Sequence, residues 1–300
     1  MYRTRPLWLG YAHPLQTAEL PYAASKLYAR GSLAPFVATV TTGMLFPQVP
    51  TPIRVRTDLG PIGRGASQAR IVLAENGEEY LIKGPSLTPG HPTVGANEWI
   101  AAELAALLGL PIQDHVIAEK DGYLFFGSRM MQDGTFFPAL SKTILKECQN
   151  KERTSDVVLL DVWLINPDRH EENLIARRVR GSAEHLLMLN DHSHLLVNPL
   201  GPTTVPALPG KVNSGAKPYV RQGCISASVE DPDVLEAALD RVERLSEEAI
   251  RSTVATTPPE LLSASDQGVY AEFLVQRQTR LRAIVEQDSA AIFPNLPTSP

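Results

Sequence analysis

Asp168-Arg169-His170-Glu171-Glu172-Asn173 lies between two apolar stretches of different period. Asp156 to Ile165 has helical spacing and ends before Asn166-Pro167. Leu174 to Arg178 reads as a strand, paired with Glu184 to Leu189 across Arg180-Gly181-Ser182. A loop between helix and strand can point Asp168 and Asn173, five residues apart, into one cleft. A carboxylate there can accept a hydroxyl proton or hold an attacking group in line, and a carboxamide oxygen can ligate a hard cation. Beyond the hairpin, eighteen residues after Asn173, Asp191 follows Leu189-Asn190. A carboxylate at a strand end is placed to bind Mg²⁺ between phosphates. Singly, such residues are ordinary turn and cap chemistry. At this joint spacing they predict a metal–phosphate centre.

The upstream half supplies matching parts. Ile53-Arg54-Val55-Arg56 alternates as a strand does, and Gly60-Pro61-Ile62-Gly63-Arg64-Gly65-Ala66-Ser67-Gln68 is rich in turn residues. Ala69 to Ala74 and Glu79 to Lys83 predict two strands joined at Asn76-Gly77. Gly63, Gly65, Ala66 and Ser67 can present backbone amides to phosphate oxygens, and Lys83 can reach a phosphate as a point charge. Ala96 to Leu108 predicts a helix with Asn97 as N-cap, Ile100, Leu104, Leu107 and Leu108 as its apolar stripe, and Gly109 as its terminator. Glu98, near its start, can pair with Lys83. Glu103 is the rival, but lies five residues on and so on a different face. Val116 to Glu119 and Tyr123 to Ser128 predict strands about Asp121-Gly122. Glycine loop, strand lysine, helix glutamate, Asp-x₄-Asn and metal aspartate follow one another in the order of kinase-type phosphoryl transfer.

Composition sets the bounds. The chain has 300 residues, 43% of them hydrophobic and 20% charged, which reads as globular. Its 28 basic and 33 acidic residues give a formal net charge of −5, against nucleic-acid or anionic-membrane binding through bulk charge. Two cysteines, Cys148 and Cys224, exclude a disulfide scaffold and read as ordinary thiols. No run approaches the ~18 apolar residues of a membrane span, and the expected location is cytoplasmic. Residues 1–43 carry Arg3, Arg5, Lys26 and Arg30 against one acid, Glu19. They read as an extension outside the folded domain, as a transit-like segment, or as sequence ahead of a start at Met44. Residues 44–135 read as a β-rich lobe with one helix, 136–293 as a mainly helical lobe, and 294–300 as a frayed tail. Asn198 to Arg221 reads as a long Pro- and Gly-rich loop holding Thr203, Thr204, Lys211, Ser214 and Lys217. Two apolar stripes predict C-terminal helices: Val234, Leu235, Ala238, Leu239, Val242 and Leu245, then Tyr270, Phe273, Leu274, Leu281 and Ile284. Trp99 and Trp163 fit helix faces turned to the core.

Tyr80-Leu81-Ile82-Lys83, Asn97-Glu98-Trp99, Leu107-Leu108-Gly109-Leu110-Pro111, Asn166 to Asn173 and Asn190-Asp191-His192-Ser193 resemble the HipA-like kinase family over about Val55 to Leu196. Asp161 to Arg169 also resembles phosphatidylinositol 3-/4-kinases, distant relatives. The resemblance implies an α+β, bilobal protein-kinase-like fold with a β-rich N-lobe and a mainly helical C-lobe, and ATP and Mg²⁺ as cofactors. It implies Asp168 as catalytic base, Asn173 and Asp191 as metal ligands, and Lys83 as the ATP-phosphate lysine. His170 is expected to orient the catalytic loop. The acceptor would be a hydroxyl, of protein Ser or Thr before a small molecule or lipid. Some family members are toxins with an antitoxin partner, but the extra N-terminal domain of those toxins is not identifiable in residues 1–43. Two other readings stand beside this one. A nucleotide-binding pseudokinase would act by docking. A metallohydrolase would use His170, His192 and His194 with Asp168 and Asp191 as a zinc-type site, leaving the glycine loop, Lys83 and Glu98 without a role.

Overall fold

Asn76-Gly77 reverses the chain as its sequence demands. Gly77 takes φ +82°, its amide donates to the Ala74 carbonyl, and the Asn76 carboxamide donates to the Tyr80 hydroxyl. The turn joins β2 (Arg70–Ala74) to β3 (Glu79–Lys83). Asp121-Gly122, with φ +54° and +80°, joins β4 (His115–Lys120) to β5 (Tyr123–Arg129) in the mirror-image turn that suits twisted strands. With β1 (Ile53–Pro61) these strands close a barrel of order β1-β2-β3-β5-β4, sealed by parallel pairing of Ile53 with Ala118 and Arg54 with Glu119. Closure leaves no edge strand. The barrel core is small: Val72, Ala74, Tyr80, Ile82, Ala118 and Phe125.

The protein was analysed as a computed structural model that describes residues 48–62, 68–88, 90–131, 141–178, 184–193, 195, 197–198, 201–202, 205–215 and 223–297. By internal packing the chain divides into Met1–Thr41 and Thr42–Pro300, and every described residue lies in the second unit. The expectations for residues 1–43, the glycine loop 63–67, the hairpin tip 180–182, His194, Thr203, Thr204, Lys217, Arg221 and the last three residues fall outside the described residues.

Between β3 and β4 runs α1 (Val94–Leu107), two residues earlier at its start than the sequence predicts. Eleven of its fourteen residues are buried, and it packs into the larger core rather than into the barrel. Asn97 is not its N-cap. Thr93 occupies that position, and Asn97, one turn in, uses its side chain elsewhere. The C-terminus is as read: Gly109 takes φ +66°, donating to the Ala106 carbonyl while Leu110 donates to that of Ala105.

The rest of the chain builds around α3 (Thr154–Trp163), all ten residues of which are buried. Before it lies the short α2 (Lys142–Lys146). After it come the hairpin of β6 (Leu174–Arg178) and β7 (His185–Leu189), the short pair β8 (Val197–Asn198) and β9 (Gly201–Pro202), and a 3-10 helix, Val205–Lys211. The described part of the predicted long loop thus has secondary structure of its own. Five helices follow: α4 (Gly223–Ser226), α5 (Pro232–Glu243), α6 (Glu247–Ala255), α7 (Ala264–Gln278) and α8 (Leu281–Ile292). Asp231, Ser246 and Ser263 cap α5, α6 and α7 with their side-chain oxygens. The stripe from Tyr270 to Ile284 divides between α7 and α8, with a break at Thr279-Arg280. Among the described residues no helix is long and apolar enough to cross a membrane.

A methyl group at Gly109 would meet nothing within 4 Å, so only the left-handed backbone opposes a side chain there. Gly109→Ala is expected to lower stability by about 1 kcal/mol, read as a fall in the urea midpoint with unchanged slope.

Candidate active site

Lys83 ends β3 with its ammonium buried, its side chain 4% exposed. Two carboxylates reach it. Glu98 Oε1 lies 2.6 Å away and Asp191 Oδ1 2.8 Å away. Glu98 faces Lys83 from the first turns of α1, which pass close to β3 at Gly95. A Cβ there would stand 3.4 Å from the Lys83 carbonyl oxygen and 3.2 Å from Leu261. Glu103 does not compete: it turns to His115, 2.8 Å away. The second Glu98 oxygen accepts the backbone amide of His192 at 2.9 Å. Lysine, glutamate, the amide after Asp191, and Asp191 itself therefore form a closed ring.

The charges settle accordingly. Burial alone would push the Lys83 ammonium down, but Asp191 and Glu98 outweigh it and hold the pKa above the ordinary value. Burial would likewise raise both carboxyls, yet Lys83 holds each below the ordinary range, with help from His192 at Glu98 and from Ser193 at Asp191. Asp191 takes φ +57°, and its Oδ1 also accepts from the Ser193 amide and hydroxyl.

Asp168 and Asn173 are placed by Arg169. This arginine is fully buried against Asp161, with Nε to Oδ2 at 2.9 Å and Nη2 to Oδ1 at 3.1 Å. Its Nη1 donates to the carbonyls of Asn173 and Asn190, each at 2.7 Å, which ties the loop to the residue before Asp191. Asp161 also accepts from Asn166 Nδ2 at 2.7 Å, and Asn166 Oδ1 accepts the Asp168 amide at 3.2 Å. The loop leaves α3 through Ile165 at φ +51°, a β-branched residue in the left-handed region. Such strain, of order 1–3 kcal/mol, is sustained where the surroundings fix the backbone. Here Asp161, Asn166 and Arg169 do so.

Asn173 Nδ2 donates to the Asp168 carbonyl at 2.6 Å, which leaves Oδ1 as the atom for a cation. Asp191 Oδ2 takes part in none of the hydrogen bonds that fix Oδ1. A carboxylate and a carboxamide oxygen are hard donors that suit Mg²⁺. His170 caps the 3-10 turn at 171–173, its Nδ1 accepting the Glu172 amide at 3.2 Å. His192 is buried with Nδ1 3.7 Å from Glu98. Among the described residues no three His, Cys, Asp or Glu side chains converge as a metal cluster.

Gly63, Gly65, Ala66 and Ser67 lie outside the described residues, but the base of their loop is clamped. Ile62 donates to the Ala69 carbonyl at 3.1 Å, and Asp58 joins Gly60 on one strand to Arg70 on the next, at 2.9 and 2.7 Å. Two contributors escape a sequence reading. Arg169 appears there only as a spacer within the loop. Asn97 joins α1 to the chain after Asp191, donating to the Leu195 carbonyl at 2.9 Å and accepting from the Tyr270 hydroxyl at 3.1 Å.

Residues 58–194 match the model of a family described as HipA-like kinase. The chain is similar in fold to the crystal structure of the Helicobacter pylori proinflammatory kinase CtkA, with a TM-score of 0.52 at 16% identity over 73% of this chain and 93% of that one. HipA from Shewanella oneidensis MR-1, solved with HipB and operator DNA, gives a TM-score of 0.44 at 12% identity, over 69% of this chain and 58% of that one. The Golgi casein kinase gives 0.43 at 10% identity, over 82% and 76%. No curated protein matches the sequence.

Removing Arg169 leaves Asp161 buried and uncompensated, so Arg169→Ala is expected to cost about 3–5 kcal/mol, read by chemical denaturation. The pH dependence follows from the depressed carboxyls. Their contribution is present above the ordinary values of 4.5 for Glu98 and 3.8 for Asp191, and is lost as pH falls through the lower folded values. Glu98→Gln is expected to flatten the acid limb of a stability–pH curve below those values. An unchanged limb would show that Glu98 does not contribute.

Proposed function

We propose that the chain, whose residues 58–194 match the HipA-like kinase model, transfers the γ-phosphoryl group of ATP to a hydroxyl, that of a protein serine or threonine first. The observation that carries this reading is the buried Lys83 ammonium shared between Glu98 and Asp191. A lysine held in place this way is a fixed positive charge for phosphate oxygens. The backbone amides of 63–67 would cradle phosphate at the mouth that Asp58 and Arg70 clamp. The barrel and the larger core would be the two lobes of a kinase, divided near residues 135–136, with nucleotide between them.

Asn173 and Asp191 would hold Mg²⁺, which supplies charge neutralisation on the phosphates when bound. Everything else is the work of the chain. Lys83 orients phosphate, Glu98 holds Lys83, and the Asp161–Arg169 pair fixes the loop that carries Asp168. Asp168 would accept the acceptor's proton or hold its oxygen in line. No covalent intermediate is needed, because positioning and fixed charge lower the barrier. The acceptor would be met outside Asp168, and a cytoplasmic setting and an antitoxin-like partner belong to this same reading.

The test is transfer of labelled γ-phosphate from Mg-ATP to the protein itself and to a cell lysate. Asp168→Asn is expected to keep Mg-ATP binding, seen as a retained rise in melting temperature, and to lose transfer by about 10²–10⁴-fold. Equal loss of binding would remove Asp168 from the transfer step. Asp191→Ala is expected to lose Mg²⁺-dependent nucleotide binding; unchanged affinity would remove it from the metal site. Binding without transfer in the wild type would favour the pseudokinase.

A further inference from the structure

His115 opens β4, outside the catalytic residues, and both of its ring nitrogens face oxygen atoms that can only accept. Nε2 lies 2.8 Å from Glu103 Oε1 on α1, and Nδ1 lies 3.1 Å from the Gln113 carbonyl oxygen. A neutral imidazole carries one N–H, so one of these contacts would set lone pair against lone pair. The imidazolium carries two and satisfies both.

The surroundings of the ring connect it to the site. Its face stacks on Phe126, with centroids 5.9 Å apart and planes 26° apart, and its flank meets the ring of Trp99 edge-on at 5.3 Å. Phe126 is the residue of β5 that pairs directly with Lys83 of β3. Trp99 follows Glu98. The segment that delivers His115 also touches the strand leading to Asp191, because the Leu189 amide donates to the Pro111 carbonyl at 2.9 Å and Ile112 bridges Leu189. One ring thus braces the helix that carries Glu98 against the sheet that carries Lys83.

We infer that His115 is a positioning residue: as an imidazolium bonded to Glu103 it holds α1 at the spacing that lets Glu98 engage Lys83, so that loss of its proton loosens the pair. This rests on the kinase reading only for its effect on the reaction; the coupling of His115 to Lys83 stands on the geometry. Glu103 from α1 and Asp114 from its own segment favour the cation. On β5, Ser128 pairs with His115, and the guanidinium of the next residue, Arg129, is engaged by Glu78 at 2.7 Å and Asp114 at 3.4 Å. Burial opposes the charged form, but Glu103 and the Gln113 carbonyl outweigh it and raise the pKa above the ordinary 6.5. A raised value means that the brace is complete below 6.5 and is lost as pH rises through the folded value.

The experiment is a pH titration of the full chain by NMR that follows the His115 ring nitrogens and the Lys83 ammonium, in the wild type and in Glu103→Gln. Expected in the wild type is a His115 ring more than half doubly protonated at pH 6.5, with the Lys83 signal changing at the pH where His115 titrates. In Glu103→Gln both transitions are expected to move together to lower pH. A His115 ring that titrates at or below the ordinary value, or that Glu103→Gln leaves unmoved, overturns the brace. A Lys83 signal indifferent to a His115 transition overturns the coupling. Label transfer from Mg-ATP, measured in parallel, separates the two readings. Its complete absence at every pH would count against the kinase function while the NMR result decides the brace. Where transfer occurs, its alkaline limb is expected to shift with His115 in Glu103→Gln.

Discussion

An ammonium taken out of water must be met by charge, and the described structure is arranged around meeting that of Lys83. A lone buried cation would shed its proton or unfold its surroundings. Two carboxylates prevent that, and they come from elements far apart in sequence, α1 and the chain after β7. The position of α1 against β3 and that of the β6–β7 hairpin follow from this requirement. The arrangement also leaves a surplus. One ammonium between two carboxylates carries a net negative charge, a balance that would suit a divalent cation under the proposed function.

Arg169 solves the same problem from the other side. It is planar and permanently charged, and its fork meets Asp161 with two donors while a third nitrogen bridges two carbonyls. Lysine could not make these contacts at once. The bridge matters because the carbonyls belong to Asn173 and to Asn190, the neighbour of Asp191, so it joins the two residues proposed to hold the cation. Asp161, inside α3, thereby sets the spacing of the catalytic loop to the hairpin's end. Ile165 and Asp191, both in the left-handed region, stand where the chain enters and leaves this arrangement. Their strain is borne by the hydrogen bonds on either side.

What the sequence disclosed depended on range. Asn76-Gly77, Asp121-Gly122 and Gly109 act within a few residues of themselves, so the hairpins and the end of α1 were legible. That Glu98 and Glu103 lie on different faces was legible from helical geometry, since five residues turn a side chain; that Glu98 is the partner of Lys83 came from the family resemblance. Asn97 misled, because an Asn before an apolar stripe has the local signature of a cap. Its actual partners, Leu195 and Tyr270, lie 98 and 173 residues away. Arg169 and His115 were silent for the same reason. The break between α7 and α8 was hidden because Leu281 and Ile284 continue the periodicity of Tyr270 and Phe273 across it.

The location of the ion pair also has a physical logic. Lys83 belongs to a strand whose neighbours Tyr80 and Ile82 fill the barrel core, whereas α1 packs with α3 and the C-terminal helices in the larger core. Apolar contact between two such bodies is non-directional, and many relative positions bury similar area. A hydrogen-bonded ion pair is different: it is satisfied over a few tenths of an ångström and fails outside that range. Replacing it by well-packed apolar side chains could cost nothing in stability, but it would remove the interaction that distinguishes one placement of α1 from its neighbours. Because Glu98 also holds the amide that follows Asp191, any displacement of α1 that breaks its contact with Lys83 must also pull on the backbone at His192. The helix α1, Lys83 and Asp191 are therefore set together or not at all.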